Sequence, residues 1–295
     1  MTRRSAAAPR PTLCGRPVPV DRPLVMAIVN RTPDSFFDRG ATFSDEAAMR
    51  RVEQSVADGA DILDIGGVKA GPGDLVDARE ETRRVVPFVE AVRSRYPGVL
   101  ISVDTWRGEV ARRALAAGAD LVNDTWAGHD PGVLTAAGEA GAGFVCSHTG
   151  GAVPRTRPFR VGYQDVVRDV VSELAAAADR AIAAGVPADA VLVDPTHDFG
   201  KNTFHGLELL RRMEEIVALG HPVLMALSNK DFIGETLDAG VDDRAEGTIA
   251  ATSVAALKGA RVFRTHDVPG TLRSLEMVAS IIGTRPPART VRGLA

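Results

Sequence analysis

Eight short apolar runs alternate with segments of helical periodicity along the sequence, and this alternation restricts the possible folds more than any other feature. Each run is nearly continuous in apolar residues, as the strands of a parallel sheet buried on both faces should be. The runs lie at residues 24–30, 60–67, 99–105, 119–124, 143–149, 190–195, 222–228 and 260–267.

The segments between the runs have the spacing of amphipathic helices. In residues 163–185, Val166, Val170 and Leu174 share one face, whereas Glu173 falls elsewhere on the helix. Eight strand–helix units predict a (β/α)8 barrel, a fold that typically takes ~250 residues. A doubly wound open sheet is the alternative, but it usually has fewer strands, and no GxGxxG motif follows the first run.

The sequence predicts an α/β protein whose single domain, a (β/α)8 TIM barrel, spans residues 23–284. No change of composition marks a second domain in this range. Residues 1–22 and 285–295 are rich in Pro and Arg and carry no strand or helix pattern. We therefore expect a flexible N-terminal tail and a C-terminal tail.

Charge and composition argue against several kinds of partner. The formal net charge of −3 indicates no basic surface for nucleic acid or a membrane. No apolar stretch approaches the ~20 residues of a membrane span. The two cysteines, Cys14 and Cys146, are too few for a disulfide framework. We expect a cytoplasmic protein that binds neither nucleic acid nor a membrane.

Polar side chains follow nearly every predicted strand at its carboxyl end. In a (β/α)8 barrel these ends meet at one rim, where active sites are built. The groups are Asn30, Asp104, Asn123, His148, Asp194, Ser228, Lys230, Arg264 and His266. Each of them alone is more often a turn former or a helix cap. Their coincidence at one rim predicts a ligand site.

The predicted rim has two chemically different sides. Asp104, Asn123 and Asp194 offer carboxylates and one amide, which suit a flat heterocycle rich in N–H donors. The cationic groups come after the last two strands, where such barrels often hold phosphate. One side therefore suits a heterocycle and the other an anion.

These strand ends lie within motifs that resemble those of dihydropteroate synthases, and the resemblance covers roughly residues 24–284. The first motif is close to the family signature N-V-T-P-D-S-F. The most specific stretches are MAIVNRTPDSFFD (26–38), ADILDIGG (60–67), ISVDT (101–105), VND (122–124), DPTHDFGK (194–201), SNKDFIGE (228–235), GT (247–248) and RTHD (264–267).

The resemblance implies an enzyme that joins 6-hydroxymethyl-7,8-dihydropterin diphosphate to p-aminobenzoate and releases pyrophosphate. It also implies a barrel that forms a homodimer through its later helices. No covalent nucleophile is required, so catalysis would rest on positioning and charge stabilisation. By resemblance, the pterin ring is held by Asp104, Asn123, Asp194 and Lys230. Likewise by resemblance, the pyrophosphate and its Mg²⁺ are held by Asn30, Arg264 and His266, and Asn30 is the metal ligand.

The loop after the second strand departs from the family pattern. The family sequence G-G-E-S-T-R-P-G reads GGVKAGPG at residues 66–73, so E-S-T-R is replaced by Val68, Lys69, Ala70 and Gly71. In the family, the Thr and Arg of this loop help to enclose p-aminobenzoate and the leaving group. Lys69 keeps a positive charge nearby, but as a point charge without the planar fork of arginine.

Three further positions on the p-aminobenzoate side differ from the family. Asn229 replaces the arginine of an S-R-K motif, and Thr196 and Asp198 replace two glycines of D-P-G-x-G-F-G-K. Asp198 would add a negative charge near a site for anionic ligands. Arg31, which replaces a valine of the first signature, is expected to compensate in part.

Three functions remain open at this point. The first is a working synthase with an altered co-substrate loop. The second is a catalytically inactive paralogue that binds a pterin, another anionic ligand or a partner protein, and the departures resemble a divergent second paralogue of actinobacteria. The third is a transferase that uses a different amine or a phosphorylated ligand.

Overall fold

The computed structural model describes residues 12–32, 44–156 and 162–292, and it confirms the predicted (β/α)8 barrel. A two-stranded hairpin precedes eight parallel strands. The strands are β1 (Thr12–Leu13), β2 (Arg16–Pro17), β3 (Leu24–Asn30), β4 (Ile62–Gly66), β5 (Leu100–Asp104), β6 (Leu121–Asp124), β7 (Gly143–Ser147), β8 (Val191–Asp194), β9 (Leu224–Met225) and β10 (Val262–Thr265).

The barrel strands are paired in the order β8-β7-β6-β5-β4-β3-β10-β9, and every pair is parallel. A bridge between Val193 and Val223 joins the two ends and closes the barrel. The register aligns Asn30 with Gly66, Gly66 with Asp104, and Asp104 with Asn123. These strand-end residues therefore form one row across four neighbouring strands.

Helices surround the barrel, and several begin at an acidic cap, as helix N-termini favour. The side chain of Asp77, for example, accepts from Glu80 N at 2.7 Å. The helices are α1 (Asp45–Ala57), α2 (Ala78–Arg95), α3 (Gly108–Ala116), α4 (Pro131–Ala140), α5 (Val166–Ala183), α6 (Thr203–Arg211), α7 (Met213–Val217), α8 (Asp231–Leu237), α9 (Ala245–Leu257) and α10 (Val268–Ile281).

The core has two parts, one between the strands and the helices and one inside the barrel. The second part, here called the interior cluster, fills the lower half of the barrel with apolar side chains. Its members are Leu13, Leu24, Met26, Ile62, Leu100, Leu121, Val145, Leu192, Leu224 and Val262. Because the lower half is packed, a ligand can enter only at the carboxyl ends of the strands.

The N-terminal hairpin packs against the barrel, which differs from the prediction of a flexible tail over residues 1–22. Leu13 is 4% exposed and belongs to the interior cluster. Arg16 Nε donates to Asp120 Oδ1 at 2.7 Å, which ties the hairpin to the residue just before β6. Residues 1–11 lie outside the described residues.

The C-terminal end is partly attached. Arg285 forms ion pairs with Asp21 at 2.5 Å and with Glu276 at 2.8 Å. Residues 286–292 are exposed. Within the described ranges, every helix is too short or too polar to cross a lipid bilayer.

Candidate functional site

A fully buried carboxylate, Asp64, organises the floor of the barrel mouth. It accepts hydrogen bonds from Ser102 Oγ at 2.6 Å, Asn123 Nδ2 at 3.2 Å and Arg264 Nε at 2.5 Å. A buried carboxylate is tolerated only when it is paired and hydrogen-bonded. Asp64 therefore fixes the orientation of the Asn123 amide and the Arg264 guanidinium.

Asp104 shares the same arginine. Its Oδ2 accepts from Arg264 Nη2 at 2.8 Å, and its Oδ1 accepts from Thr125 Oγ1 at 3.0 Å. Burial raises the pKa of Asp104 to about 7, although Arg264 opposes the rise. The sequence prediction assigned Arg264 to an anion side of the rim, whereas the structure brings it into contact with the carboxylates of the heterocycle side.

Asp194 and Lys230 stand on the opposite wall of the mouth. Asp194 Oδ1 accepts from Thr196 N at 2.7 Å, and burial raises the pKa of Asp194 to about 6 despite the nearby positive charge of Lys230. Burial also lowers the pKa of Lys230, and its Nζ lies 4.7 Å from the centre of the Phe199 ring. The four predicted pterin-side residues thus all lie at the mouth.

His266 and Asn30 complete the rim next to Arg264. His266 Nδ1 lies 3.0 Å from Ser228 Oγ, and its carbonyl accepts from Arg51 Nη2 at 2.5 Å. Asn30 ends β3 in the same row as Asp104. His148, at the end of β7, is instead directed towards α5, with Nε2 2.8 Å from Asp169 Oδ1.

The donor set was tested against the Mg²⁺ that the sequence motifs imply. Among the described residues, no group of three or more His, Cys, Asp or Glu could hold a metal ion. Mg²⁺ usually keeps several waters and is shared with substrate phosphates. The single amide oxygen of Asn30 therefore fits an ion that arrives with a phosphate ligand, not a metal held by a protein cage.

Comparisons with known proteins agree with this geometry. The family model of pterin binding enzymes matches residues 26–266. The dihydropteroate synthase of Haemophilus influenzae is 40% identical over 256 residues, which cover 86% of this chain and 92% of that protein. The chain belongs to the dihydropteroate synthase family. Within it, a Mycobacterium leprae protein named inactive dihydropteroate synthase 2 is 66% identical over 287 residues, or 96% of this chain and 99% of the relative.

A solved structure supports the same membership. Dihydropteroate synthase from Yersinia pestis, in a sulfonamide drug complex, is similar to this chain with a TM-score of 0.87 and 33% sequence identity. The similarity covers 93% of this chain and 99% of that structure. The barrel of this chain therefore matches the barrel of a solved member of the family.

Arg31 lies outside the mouth, contrary to the expectation that it replaces lost positive charge there. Its guanidinium lies 4.6 Å from the centre of the Phe88 ring on α2 and pairs with Asp45 at the start of α1. Asn30 faces the barrel interior, so the next residue along the chain faces the helices. Arg31 is thus not available to a ligand in the mouth.

Asp198 serves as a cap from a neighbouring loop. Its carboxylate accepts from Asp231 N at 2.6 Å and from Phe232 N at 3.4 Å, at the N-terminus of α8. Helix N-termini stabilise negative charge. The sequence suggested that the negative charge of Asp198 would oppose anionic ligands. In the structure this charge is instead directed at a helix end.

Three of the positions that differ from the family motifs have a left-handed backbone. Thr196, Asp198 and Asn229 have φ values of 51°, 68° and 57°. This conformation costs an ordinary residue roughly 1–2 kcal/mol. The loop that carries Thr196 is held by Lys201, whose Nζ donates to the carbonyls of Thr196 and Phe199 at 3.2 and 3.0 Å.

The altered loop at 66–73 contributes to an apolar group at the rim, here called the mouth cluster. It consists of Val68, Ala70, Val76, Trp106, Trp126, Ala152 and Phe199. The Trp126 ring lies 6.5 Å from Trp106 and 5.0 Å from Phe199, edge to face in both cases. Phe199 in turn borders Lys230, so the mouth cluster adjoins the polar floor.

Sequence reasoning missed Asp64, although the signal was present. Asp64 is inside an apolar run and is two residues from Ile62 and from Gly66, so strand alternation places all three on one face. The same alternation pairs Ser102 with Asp104.

Proposed function

We propose that this protein binds a dihydropterin diphosphate in the barrel mouth but lacks efficient condensation with p-aminobenzoate. The observation that carries the proposal is a contrast between an ordered pterin side of the site and a missing cation on the co-substrate side. Asp64, Asp104, Asn123 and Arg264 form one hydrogen-bonded network, whereas Arg31 is turned away from the mouth. The name of the Mycobacterium leprae relative, inactive dihydropteroate synthase 2, supports the same choice.

Pterin binding would use acceptors and cations together. The carboxylates of Asp104 and Asp194 would accept from ring N–H groups, and Arg264 and Lys230 would favour their ionised forms against the opposing effect of burial. Asn123 offers both a donor and an acceptor, and its Nδ2 is oriented by Asp64 at 3.2 Å. The ligand would displace water from a mouth whose side chains are already oriented, which lowers the entropic cost of binding.

The diphosphate would lie towards Asn30, Arg264 and His266. Mg²⁺, when bound, would neutralise charge on the departing pyrophosphate. The ring of His266 is fixed by Ser228 at 3.0 Å, and Arg264 is fixed by its two carboxylates. These residues would orient the leaving group, as catalysis by positioning requires.

The condensation also needs the amine nitrogen of the second substrate to reach the pterin methylene carbon as the C–O bond to pyrophosphate breaks. The family encloses that substrate with Thr and Arg, and the corresponding loop here carries Val68 and Ala70 in the mouth cluster. Losing one interaction made only in the transition state costs a factor of ~10²–10³ in rate. We therefore expect very slow turnover.

The test measures binding and turnover separately. Calorimetry with Mg²⁺ and dihydropterin diphosphate should give binding, and Asp194→Asn should abolish it. Turnover of p-aminobenzoate should be near the background, and should rise when residues 68–71 become E-S-T-R together with Asn229→Arg. Absence of pterin binding at high micromolar ligand, or turnover typical of a working synthase in the unaltered protein, would disprove the proposal.

We also propose a homodimer formed through α9 and α10. These helices pack side by side and carry exposed apolar side chains, namely Val254, Leu257, Met277 and Ile281. Adjacent exposed apolar residues of this kind mark interaction surfaces. Met277→Lys should convert the dimer to a monomer in sedimentation experiments.

The free thiols of Cys14 and Cys146 support action in the cytoplasm.

A further inference from the structure

The mouth cluster is apolar and largely buried, and it borders the proposed pterin site through Phe199. Val68 is 8% exposed, and Trp106 and Trp126 are similarly buried. Phe199 connects the cluster to the amine of Lys230 at 4.7 Å. A ligand that reaches the pterin from the side of these residues therefore contacts aromatic faces and aliphatic groups.

The cations around the mouth cluster already have polar partners. Arg107, which lies 4.7 Å from the Trp106 ring centre, pairs with the buried carboxylate of Glu81. Arg155 donates to the carbonyls of Lys69 and Asp74 at 3.4 and 2.7 Å. Lys230, next to Phe199, has the negative charges of Asp198 and Asp194 close to it. A ligand carboxylate buried here would have to take a cation from one of these partners, and an unpaired buried charge is strongly disfavoured.

One polar atom of the cluster needs an acceptor. The indole Nε1 of Trp126 is buried and has no hydrogen-bond partner within the described part of the chain. Buried N–H groups are nearly always paired, because leaving one unpaired forfeits its hydrogen bond to water. The cluster therefore combines apolar surface with a buried donor that no described group accepts from.

We propose that the mouth cluster is a subsite for an uncharged aromatic compound that carries a carbonyl-type acceptor. The aromatic ring would enter by a shift of the Trp106, Trp126 and Phe199 rings, which now pack edge to face, and the acceptor would then take the Trp126 indole N–H. This inference rests on the proposed pterin site, since the subsite borders it. The subsite would therefore differ from a p-aminobenzoate subsite in the charge of the ligand that it accepts, not in the size of that ligand.

The experiment compares two probes of nearly equal shape, p-aminobenzoate and its neutral amide, p-aminobenzamide. Titrations are followed by calorimetry and by tryptophan fluorescence, which is specific because Trp106 and Trp126 are the only tryptophans of the chain. We expect the amide to bind at least about tenfold more tightly than the anion, since burying an unpaired carboxylate is costly. Equal or tighter binding of p-aminobenzoate would overturn the inference.

The role of the indole N–H is tested with Trp126→Phe, which keeps an aromatic ring and removes the donor. The variant should lose about five- to tenfold in affinity for p-aminobenzamide, the effect of one hydrogen bond. Its affinity for p-toluidine, which lacks the acceptor, should not change. An equal effect on both probes, or no effect on the amide, would contradict the assignment of Trp126.

A second variant does not alter the cluster's aromatic side chains. Gly71→Arg places a guanidinium beside the cluster, where an added Cβ meets only Lys69 Cε, at 3.8 Å. It should raise the affinity for p-aminobenzoate and reduce the preference for the amide, and an unchanged preference would count against the inference.

All titrations are run with and without pterin. Loss of pterin binding alone would refute the proposed function, whereas a lack of amide preference in both conditions would refute the subsite.

Discussion

Replacing Asp194 by Asn should abolish pterin binding and at the same time stabilise the ligand-free protein above pH 6. The side chain is buried, and its pKa rises from the ordinary value of 3.8 to about 6 because burial disfavours the ionised form. That value already includes the attraction of Lys230, Lys201 and Arg264, which lowers the pKa. The ionised carboxylate of the ligand-free site is therefore a net cost to folding.

The sign and size follow from proton linkage. Between pH 4 and pH 6 the folded protein binds a proton at Asp194 that the unfolded chain has released. Stability from this group is complete below pH 4 and is lost as the pH rises to 6. The difference between the two pKa values corresponds to about 3 kcal/mol as an upper limit. Asn does not titrate, and its carbonyl oxygen can still accept from Thr196 N.

Urea denaturation at pH 5, 6 and 8, followed by tryptophan fluorescence, measures this effect. The Asp194→Asn variant should be more stable than the parent at pH 8 by up to about 3 kcal/mol, and the difference should shrink towards pH 5. Asp165→Asn is the matched control, because the hydrogen bond from Arg168 N lowers the pKa of that helix cap, so its replacement should not stabilise the protein at pH 8. A variant that is less stable than the parent at pH 8, or a difference that is independent of pH, would refute the reasoning.

Three further predictions concern the packing around the site. Leu13→Ala should lower the free energy of unfolding by about 2 kcal/mol, because it empties part of the interior cluster. Gly143→Ala should destabilise by about 1–3 kcal/mol, since the new Cβ would lie 2.5 Å from Cys14 Sγ, and Cys14→Gly should recover part of the loss. Asp198→Ala should cost about 1 kcal/mol through loss of the α8 cap. Urea titrations measure the free energy of unfolding for all three. If the effects of Gly143→Ala and Cys14→Gly were fully additive in the double variant, the assigned contact between these residues would be contradicted.

The strands were predictable because burial on both faces leaves a strong signal in the sequence. All eight apolar runs form barrel strands, although β9 is shorter than its run. The hairpin of residues 12–17 was not predictable in the same way. Its strands have two residues each, and Leu13 is stabilised by the interior cluster and not by its own neighbours in sequence.

The inward-facing site residues follow from strand alternation, and the same rule accounts for Asp64 and Arg31. Asn30, Asp104 and Asn123 lie in one row, as the predicted strand ends required. The same period of two assigns Asp64 to the interior and Arg31 to the helix side. Both facts were therefore within reach of the sequence.

The loop residues were not within reach, because their roles depend on contacts between segments distant in sequence. Asp198 caps a helix that begins 33 residues later, and only the fold brings the two together. Trp126 meets Phe199 and Val68 across three loops. A loop substitution read against a family motif shows what has been lost. What has replaced it is visible only once the partners are known. Here Val68 and Ala70 pack with an aromatic group in which the buried Trp126 indole N–H has no partner among the described residues.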